Sequence, residues 1–201
     1  MTPVQAQQII DEIWSLYDKY GASDYIGEPV SQIEHMSQAA ELAMAQGAED
    51  EVVLAAFFHD IGHICVKQAE VKSMNGFGVQ DHEKIGGNFL RSKGFSERMA
   101  QLVESHVQAK RYLTCREPGY FATLSHASRK TLELQGGIMK EAEADDFERD
   151  PYFRDKVMLR KWDELAKRSG IPVTDLSLLK AMAFRVLLRQ DKLQSFTPET
   201  T

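Results

Sequence analysis

The sequence predicts an all-α protein that forms one domain. Apolar residues recur at helical spacing along most of the 201 residues, capping residues and glycines bound these runs, and no segment alternates long enough to form a strand. A composition of 43% hydrophobic and 27% charged residues is enough to build a core at this length. We therefore expect a single domain over residues 1–195 and a frayed tail over residues 196–201.

Three helices are expected in the first third of the chain, over residues 2–21, 31–47 and 49–61. The first begins at Thr2-Pro3, because a threonine cap followed by proline is typical of a helix start. The second begins at Ser31, which forms a capping box with Glu34. The third is nearly all apolar, so we expect it at the centre of the molecule.

The rest of the chain is expected to form one loop and then further helices. Periodicity is lost over residues 65–80, where Gly76-Phe77-Gly78 is typical of a loop. Capping residues, glycines and one proline then bound helices over residues 81–94, 96–113, 120–135, 140–149, 150–170 and 174–193. The absence of an internal repeat or a linker is consistent with one helical domain.

Charge and cysteine content exclude several classes of protein. Twenty-four Lys and Arg against 30 Asp and Glu give a net charge of -6, which argues against a nucleic-acid partner held by bulk charge. No apolar run is long enough for a membrane span, and no apolar segment follows a basic start as in a signal peptide. Two cysteines are too few for a disulfide framework. We expect a cytoplasmic protein with no membrane or nucleic-acid partner, and the sequence favours no particular oligomeric state.

Histidine and aspartate residues recur in an order that predicts a metal centre. They lie on or at the ends of different predicted helices and are His35, His59, Asp60, His82, His106 and Asp163. Helix bundles build metal sites from side chains that project inward from several helices. A lone buried histidine is more often a hydrogen-bonded core residue, but a His-Asp pair at the end of an apolar helix is costly to bury without a metal.

The size of this set predicts a dinuclear centre in the core of the bundle. Six ligating side chains exceed what one ion normally binds together with water, so we expect two ions about 3.5–4 Å apart. An aspartate adjacent to a histidine can bridge two such ions with its two oxygens. Imidazole-rich sites favour first-row transition metals. Two carboxylates against two divalent ions leave a charge of about +2, so the cavity should attract a dianionic phosphate or phosphonate.

The motif His59-Asp60-Ile61-Gly62-His63 resembles that of the HD-domain superfamily, an all-α fold of metal-dependent enzymes. His82 and His106 make the chain similar to the members that bind two metals. Residues 24–28, 94–98, 106–113 and 127–137 look like a narrower group, the HD-domain mixed-valent di-iron oxygenases of phosphonate breakdown. The resemblance covers about residues 22–165.

This resemblance implies an Fe(II)/Fe(III) pair that uses O2 to cleave a carbon–phosphorus bond. The implied small-molecule substrates are 1-hydroxy-2-aminoethylphosphonate and its N-trimethylated analogue, which would give phosphate plus glycine or glycine betaine. The six residues above match the iron ligands, with Asp60 as the bridge. Tyr25 matches a residue that occupies an iron position until substrate displaces it, and Glu28 matches one that meets the cationic nitrogen. The residues that match phosphonate contacts are His63, Lys110, Ser128 and Arg160.

Helix geometry supports two of these contacts independently of the resemblance. Lys110 lies four residues after His106, and Arg160 lies three residues before Asp163, so each shares a helix face with a metal ligand. Each also has a simpler interpretation, because Lys110 could be solvated and Arg160 could only pair with Asp163. His126 stands where the family has an aspartate, and we assign it no role.

Aromatic residues give a slight preference for the trimethylated substrate. The rings that could face a quaternary ammonium are those of Phe77, Tyr112 and Tyr120.

Two other functions compete with the oxygenase. The ligand set alone also suits a dinuclear phosphohydrolase that acts on a phosphate ester or a nucleotide, but such an enzyme has no evident use for Tyr25 and Glu28. A non-catalytic HD module that senses a ligand is the second, and it is disfavoured because such modules generally lose metal ligands, whereas all six positions are filled here.

Overall fold

The computed structural model describes residues 1–25, 27–66, 72–173 and 175–194, with only the helical backbone described for residues 190–194. The helices, in chain order, are α1 Pro3–Tyr20, α2 Gln32–Ala45, α3 Asp50–Phe58, α4 His82–Ser92, α5 Glu97–Glu104, α6 His106–Arg116, α7 Tyr120–Thr123, α8 His126–Leu134, α9 Glu141–Glu148, α10 Phe153–Leu165 and α11 Leu176–Gln194. A short 3-10 helix spans Ile61–His63. The described residues contain isolated bridges but no strand, which confirms the all-α class.

The first two helices begin where their capping residues predict. The Thr2 side chain accepts a hydrogen bond from the backbone N–H of Gln5, and the Gln5 side chain accepts one from the Thr2 N–H. Ser31 and Glu34 form the same reciprocal arrangement at α2. The predicted start of the last helix at Thr174 and the tail over residues 196–201 lie outside the described residues.

Helix α3 lies at the centre of the main apolar cluster, as its all-round apolar character predicts. Its residues from Val52 to Phe58 are all buried, and it contacts α2, α5, α10 and α11. The ring of Phe57 stacks on that of Trp14 from α1 at 5.9 Å between centroids. Because α3 is fixed on all sides, the residues that follow its last turn, His59 and Asp60, are held deep in the molecule.

Two predicted helices are each broken in two, and the prediction was wrong at these points. The segment over residues 96–113 ends its first helix at Glu104, and α6 begins at His106. Nδ1 of the His106 ring hydrogen-bonds the backbone carbonyl of Val103. A side chain thus replaces the backbone N–H that would bind this carbonyl in a continuous helix. The segment over residues 120–135 breaks before Ser125, whose hydroxyl caps α8 by accepting from the Ser128 N–H.

The predicted helix over residues 150–170 also ends early. It stops at Leu165, and Ala166 turns away so that its carbonyl faces His35. No described helix is both long enough and apolar enough to cross a bilayer.

Glycines bring the predicted loop close to the histidines. A Cβ on Gly62 would lie 1.9 Å from the carbonyl oxygen of His82, so the 3-10 helix can touch the start of α4 only because this residue has no side chain. Gly78 similarly lies against the ring of His63, where a Cβ would come within 2.7 Å of a ring carbon.

Candidate metal centre

The first group of ligating atoms comes from α2, the end of α3, and α10. The Nε2 atoms of His35 and His59 lie 3.0 Å apart. Oδ1 of Asp163 lies 3.4 Å from Nε2 of His35 and 3.8 Å from Nε2 of His59. Oδ2 of Asp60 completes the group, at 3.3 Å from Nε2 of His59 and 3.7 Å from Nε2 of His35. These atoms could all ligate one ion.

The second group lies on the other side of Asp60. The Nε2 atoms of His82 and His106 lie 3.0 Å apart, and Oδ1 of Asp60 is 3.3 Å from the first and 3.4 Å from the second. Asp60 thus presents one carboxylate oxygen to each histidine pair. The structure brings together all six residues that the sequence singles out as ligands, in the arrangement expected for two ions and a bridging carboxylate.

Hydrogen bonds to carbonyls fix the tautomer of all four histidines. Nδ1 of each ring faces a backbone carbonyl oxygen at 2.7–3.1 Å, and a carbonyl can only accept. The proton of each neutral ring is therefore on Nδ1, and Nε2 presents a lone pair. Ring N–H groups held by backbone carbonyls are typical of metal-ligating histidines.

The groups that converge on this centre are therefore electron-rich acceptors. In each pair, two imidazole nitrogens lie beside a carboxylate, and Oδ1 of Asp163 is buried with no hydrogen-bond partner among the described residues. Burial alone would lower the pKa of His59, but Asp60 and Asp163 raise it to about 9, so without a metal a proton on this ring supplies positive charge. Such a cluster is stabilised by positive charge, so the residues present fit a pair of transition-metal ions.

The two aspartates are held in their ionised form. Burial alone would raise the pKa of Asp60, but the neighbouring His59 holds it well below its ordinary value. The pKa of Asp163 is likewise lowered, because Arg160 and His59 outweigh the effect of burial. Metal ligands must be deprotonated, and both carboxylates meet this condition at neutral pH.

His63 differs in its tautomer from the four histidines of the candidate metal centre. Its Nδ1 accepts a hydrogen bond from the Val79 N–H at 3.2 Å, so the neutral ring carries its proton on Nε2, which lies 3.9 Å from Oδ1 of Asp60. Burial, with the neighbouring His82 ring, lowers the pKa of His63 to about 3. Distances alone would let His63 ligate with Asp60 and His82. The tautomer instead favours a neutral donor that points toward the centre.

A cavity of about 620 Å³ opens beside the metal centre. Asp60, His82, His106 and Asp163 form part of its wall, and all six residues predicted to contact substrate or to close the site also line it. Those residues are Tyr25, Glu28, His63, Lys110, Ser128 and Arg160. His126 is exposed and is not among the described lining residues.

Arg160 contacts four neighbouring side chains. These contacts support both interpretations given above, a pair with Asp163 and a phosphonate contact. Its guanidinium pairs with Asp163 and Glu164, and it donates to the Tyr120 hydroxyl and to Ser128 Oγ, both at 2.9 Å. A guanidinium has five N–H donors, and these contacts use four of them. The fifth donor is on the nitrogen that binds Asp163 and has no acceptor among the described residues. It is therefore left for a ligand in the cavity.

Tyr25 and Glu28 lie in a loop that the bridge between Asp24 and Ser31 closes. The Tyr25 ring stacks on His35 at 4.0 Å between centroids. Burial raises the pKa of Tyr25 well above its ordinary value, and the carboxylates of Asp60 and Asp163 raise it further, so its phenol stays protonated.

Glu28 already has a cationic partner within the protein. Nζ of Lys167 lies 3.1 Å from its Oε1, and Ser125 donates to the same oxygen. Lys167 also lies 3.2 Å from Oε2 of Glu164.

Sequence reasoning missed Lys167, Glu164 and Ser125. The available signal was helical spacing, since Arg160, Glu164 and Lys167 follow one another at intervals of four and three residues.

Of the three aromatic residues considered for a quaternary ammonium, only Phe77 lines the cavity among the described residues. Tyr120 uses its hydroxyl to hold Arg160. Tyr112 packs on Phe147 in a second apolar cluster and bonds Glu148. Two of the three rings behind the sequence-based preference for the trimethylated substrate are therefore used elsewhere in the fold.

Lys110 is a buried cation without a described carboxylate partner. Only 4% of its surface is exposed, and its Nζ donates to Thr131 Oγ1 at 2.9 Å. Burial, followed by repulsion from Arg160, lowers its pKa to about 7 from the usual 10.5. A bound dianion would supply the missing negative charge.

The substitution Lys110→Met is expected to stabilise the metal-free, ligand-free protein at pH 6 by on the order of 2 kcal/mol. The folded protein binds fewer protons than the unfolded chain between pH 7 and 10.5, so the wild type gains stability as pH rises. The difference in free energy of unfolding between Lys110→Met and the wild type, called the gap below, therefore narrows by pH 9. Urea unfolding at both pH values measures this, with Lys130→Met, at a half-exposed side chain, as control. A gap that widens with pH would contradict the buried-cation assignment.

Comparison with known proteins shows the family of this chain. The HD domain family model matches residues 33–146. An uncharacterized protein of Acanthamoeba polyphaga mimivirus is 42% identical over 163 residues, 81% of this chain and 74% of its own. A hydroxymethylphosphonate dioxygenase of Gimesia maris is 39% identical over 83% of this chain and 82% of its own.

A third relative has a related name. It is a 1-hydroxy-2-(trimethylamino)ethylphosphonate dioxygenase (glycine-betaine-forming) of Leisingera caerulea, 36% identical over 83% of this chain and 84% of its own. All three alignments span most of both proteins. The chain belongs to the HD-domain family, in the group that includes these phosphonate dioxygenases.

Proposed function

We propose that this protein is an O2-dependent di-iron oxygenase that cleaves the carbon–phosphorus bond of a 1-hydroxyphosphonate. The observation that carries the proposal is Asp60, which presents one oxygen to each of two histidine pairs beside a cavity that Lys110 and Arg160 also line. The two relatives named as dioxygenases act on phosphonates that carry a hydroxyl on the carbon bonded to phosphorus, which supports this reaction and this substrate class.

Two irons would be held by the six side chains already described. His35, His59 and Asp163 would hold one ion, His82 and His106 the other, and Asp60 both. Bound iron supplies the redox chemistry with O2 that breaks a bond which water does not readily hydrolyse. The overall change balances with O2 as the only oxidant, since one of its oxygen atoms enters the phosphate and the other enters a carboxylic acid formed from the hydroxyl-bearing carbon.

The cavity side chains would bind and orient the phosphonate group. Lys110 supplies a cation that lacks a described carboxylate partner, and Arg160 supplies its remaining donor. His63, with its proton on Nε2, supplies a neutral donor on the side of His82. Ser128 accepts from Arg160 and so orients the guanidinium as well as lining the cavity.

Tyr25 would close the resting site. Its ring covers His35 from the cavity side, and its high pKa keeps the phenol neutral, so it is a weak competitor for a cationic centre. We propose that substrate takes the place of Tyr25 beside His35 and that the Tyr25 side chain moves away when it does. A hydrolase has no evident need for this arrangement.

Removal of O2 is expected to stop phosphate release from every 1-hydroxyphosphonate that the iron-loaded protein accepts. The amino, trimethylammonio and unsubstituted hydroxymethyl compounds would each be assayed in air and under strict anaerobiosis. The rate should fall to the background of metal-free protein, because O2 is the only oxidant. In isotopically labelled O2, the released phosphate should carry one labelled oxygen.

The same assay separates oxygenation from hydrolysis. A simple phosphate ester serves as the control and is expected to release no phosphate in either condition. Full-rate phosphate release without O2, or a label that enters phosphate only from water, would identify a dinuclear phosphohydrolase instead.

A further inference from the structure

We infer that the substrate of this protein carries no positively charged group and that Lys167 sets this preference. The inference rests on the proposed function and narrows it to one class of 1-hydroxyphosphonate. Glu28 carries the carboxylate that would otherwise bind a cationic nitrogen of the substrate.

The negative charge of the Glu28 carboxylate is already compensated by a cation of the protein. Its Oε1 is bound by Nζ of Lys167 at 3.1 Å and by the hydroxyl of Ser125. The side chains of Glu28 and Lys167 are 7% and 11% exposed, so the pair is largely screened from water and not a loose surface contact. A cationic substrate would have to displace the Lys167 ammonium or share the same oxygen with it.

The charges around this pair are already balanced. Lys167 also contacts Glu164, and Glu164 in turn pairs with Arg160. Glu28, Lys167, Glu164 and Arg160 therefore form one chain of ion pairs, which Arg160 continues to Asp163. A substrate cation beside Glu28 would face Lys167, with this carboxylate already engaged, and an imperfectly paired charge in a largely buried site is costly.

Lys167 lines the cavity and presents its positive charge there. A quaternary ammonium is usually recognised by several ring faces, whereas the rings of Tyr112 and Tyr120 are used elsewhere in this fold. A substrate that has hydrogen, or a neutral or anionic group, in place of the aminomethyl group meets no such conflict. Hydroxymethylphosphonate is the simplest member of this class, and with O2 it gives one formic acid and one phosphate, each gaining one oxygen atom.

The experiment compares kcat/KM for phosphate release from hydroxymethylphosphonate and from 1-hydroxy-2-aminoethylphosphonate. With the iron-loaded full chain in air, we expect at least a tenfold preference for hydroxymethylphosphonate. Lys167→Met should shift this ratio at least tenfold toward the amino compound, because Glu28 is released to bind a substrate ammonium. Lys167→Arg keeps the charge and should keep the preference.

Lys161→Met is the matched control, since Lys161 lies in α10, six residues before Lys167, and pairs with Glu117 at a more exposed position. A purely structural role for Lys167 would change both substrates alike and leave the ratio unmoved. A second readout is calorimetric binding to the iron-loaded protein without O2, in which the amino compound should bind weakly to wild type and more tightly to Lys167→Met.

The outcomes separate this inference from the proposed function. A wild-type protein that prefers the amino or trimethylammonio compound overturns the inference, even if Lys167→Met does not fold. An unchanged ratio in a folded Lys167→Met protein overturns the role of Lys167. If no hydroxyphosphonate releases phosphate in an O2-dependent way, it is the proposed function that fails.

Discussion

The substitution Asp60→Asn is expected to reduce bound iron from two ions per chain to one or fewer and to lower phosphate release at least about 1000-fold. The oxygens of Asp60 lie 3.3 Å from His59 on one side and from His82 on the other, so both ion positions depend on it. An amide keeps the shape of the side chain, but it has one oxygen, and its NH2 group can only donate. The loss should exceed the roughly 10–100-fold that removal of an outer partner of a metal ligand costs.

Metal analysis and phosphate release on the same protein samples measure this result. Asp24→Asn is the control, because Asp24 is an exposed carboxylate of the cavity wall that belongs to neither group of ligating atoms. Circular dichroism should show the same helix content in both variants. Full loading with two irons in Asp60→Asn would contradict the bridging role.

The second large effect is on stability. Arg160→Met is expected to lower the free energy of unfolding of the metal-free protein by about 3–5 kcal/mol. Arg160 is 3% exposed and is the cation that Asp163 and Glu164 share, so its loss leaves two carboxylates in the interior without it. Methionine keeps much of the volume, which separates the loss of charge from the loss of packing. Urea unfolding without metal keeps iron binding out of the comparison.

Arg149→Met supplies the control for this experiment. Arg149 also pairs with an aspartate three residues away, Asp146, but both side chains are about three-quarters exposed. Exposed pairs of this kind contribute about 0–1 kcal/mol. Equal effects of the two substitutions would show that the Arg160 cluster contributes no more than a solvated surface pair.

The convergence of the six candidate ligands could be predicted because histidines are rare in this chain and lie on or at the ends of different helices. That these side chains bind metal stays a prediction. Histidine occurs six times in the chain, and four of these positions, with Asp60 and Asp163, stand out against apolar helices without any knowledge of the fold. The all-α class followed from periodicity and capping for the same reason, since both signals are local. The assignment of individual roles to Tyr25 and Ser128 came from the family resemblance and stays a prediction.

What could not be predicted depends on contacts between distant segments. The pair of Glu28 and Lys167 forms only because the loop after α1 lies against the end of α10, and neither residue stands out in its own segment. The breaks before His106 and Ser125 were missed because the apolar pattern continues through them. In both cases a side chain takes over a hydrogen bond that a continuous helix would have made.

The Nδ1 contacts of the four ligand histidines have a consequence for any attempt to redesign this protein. Ala56 and Val103 lie in the last turns of α3 and α5, where helical carbonyls lack an N–H partner, and the rings of His59 and His106 provide one. One side chain thus finishes a helix and aims a donor atom at the same time. A thiolate or a carboxylate in place of such a histidine could still ligate a metal, but it has no N–H to donate to the helix carbonyl. Changing the metal preference by such an exchange would therefore require new hydrogen-bond partners for the helix ends as well.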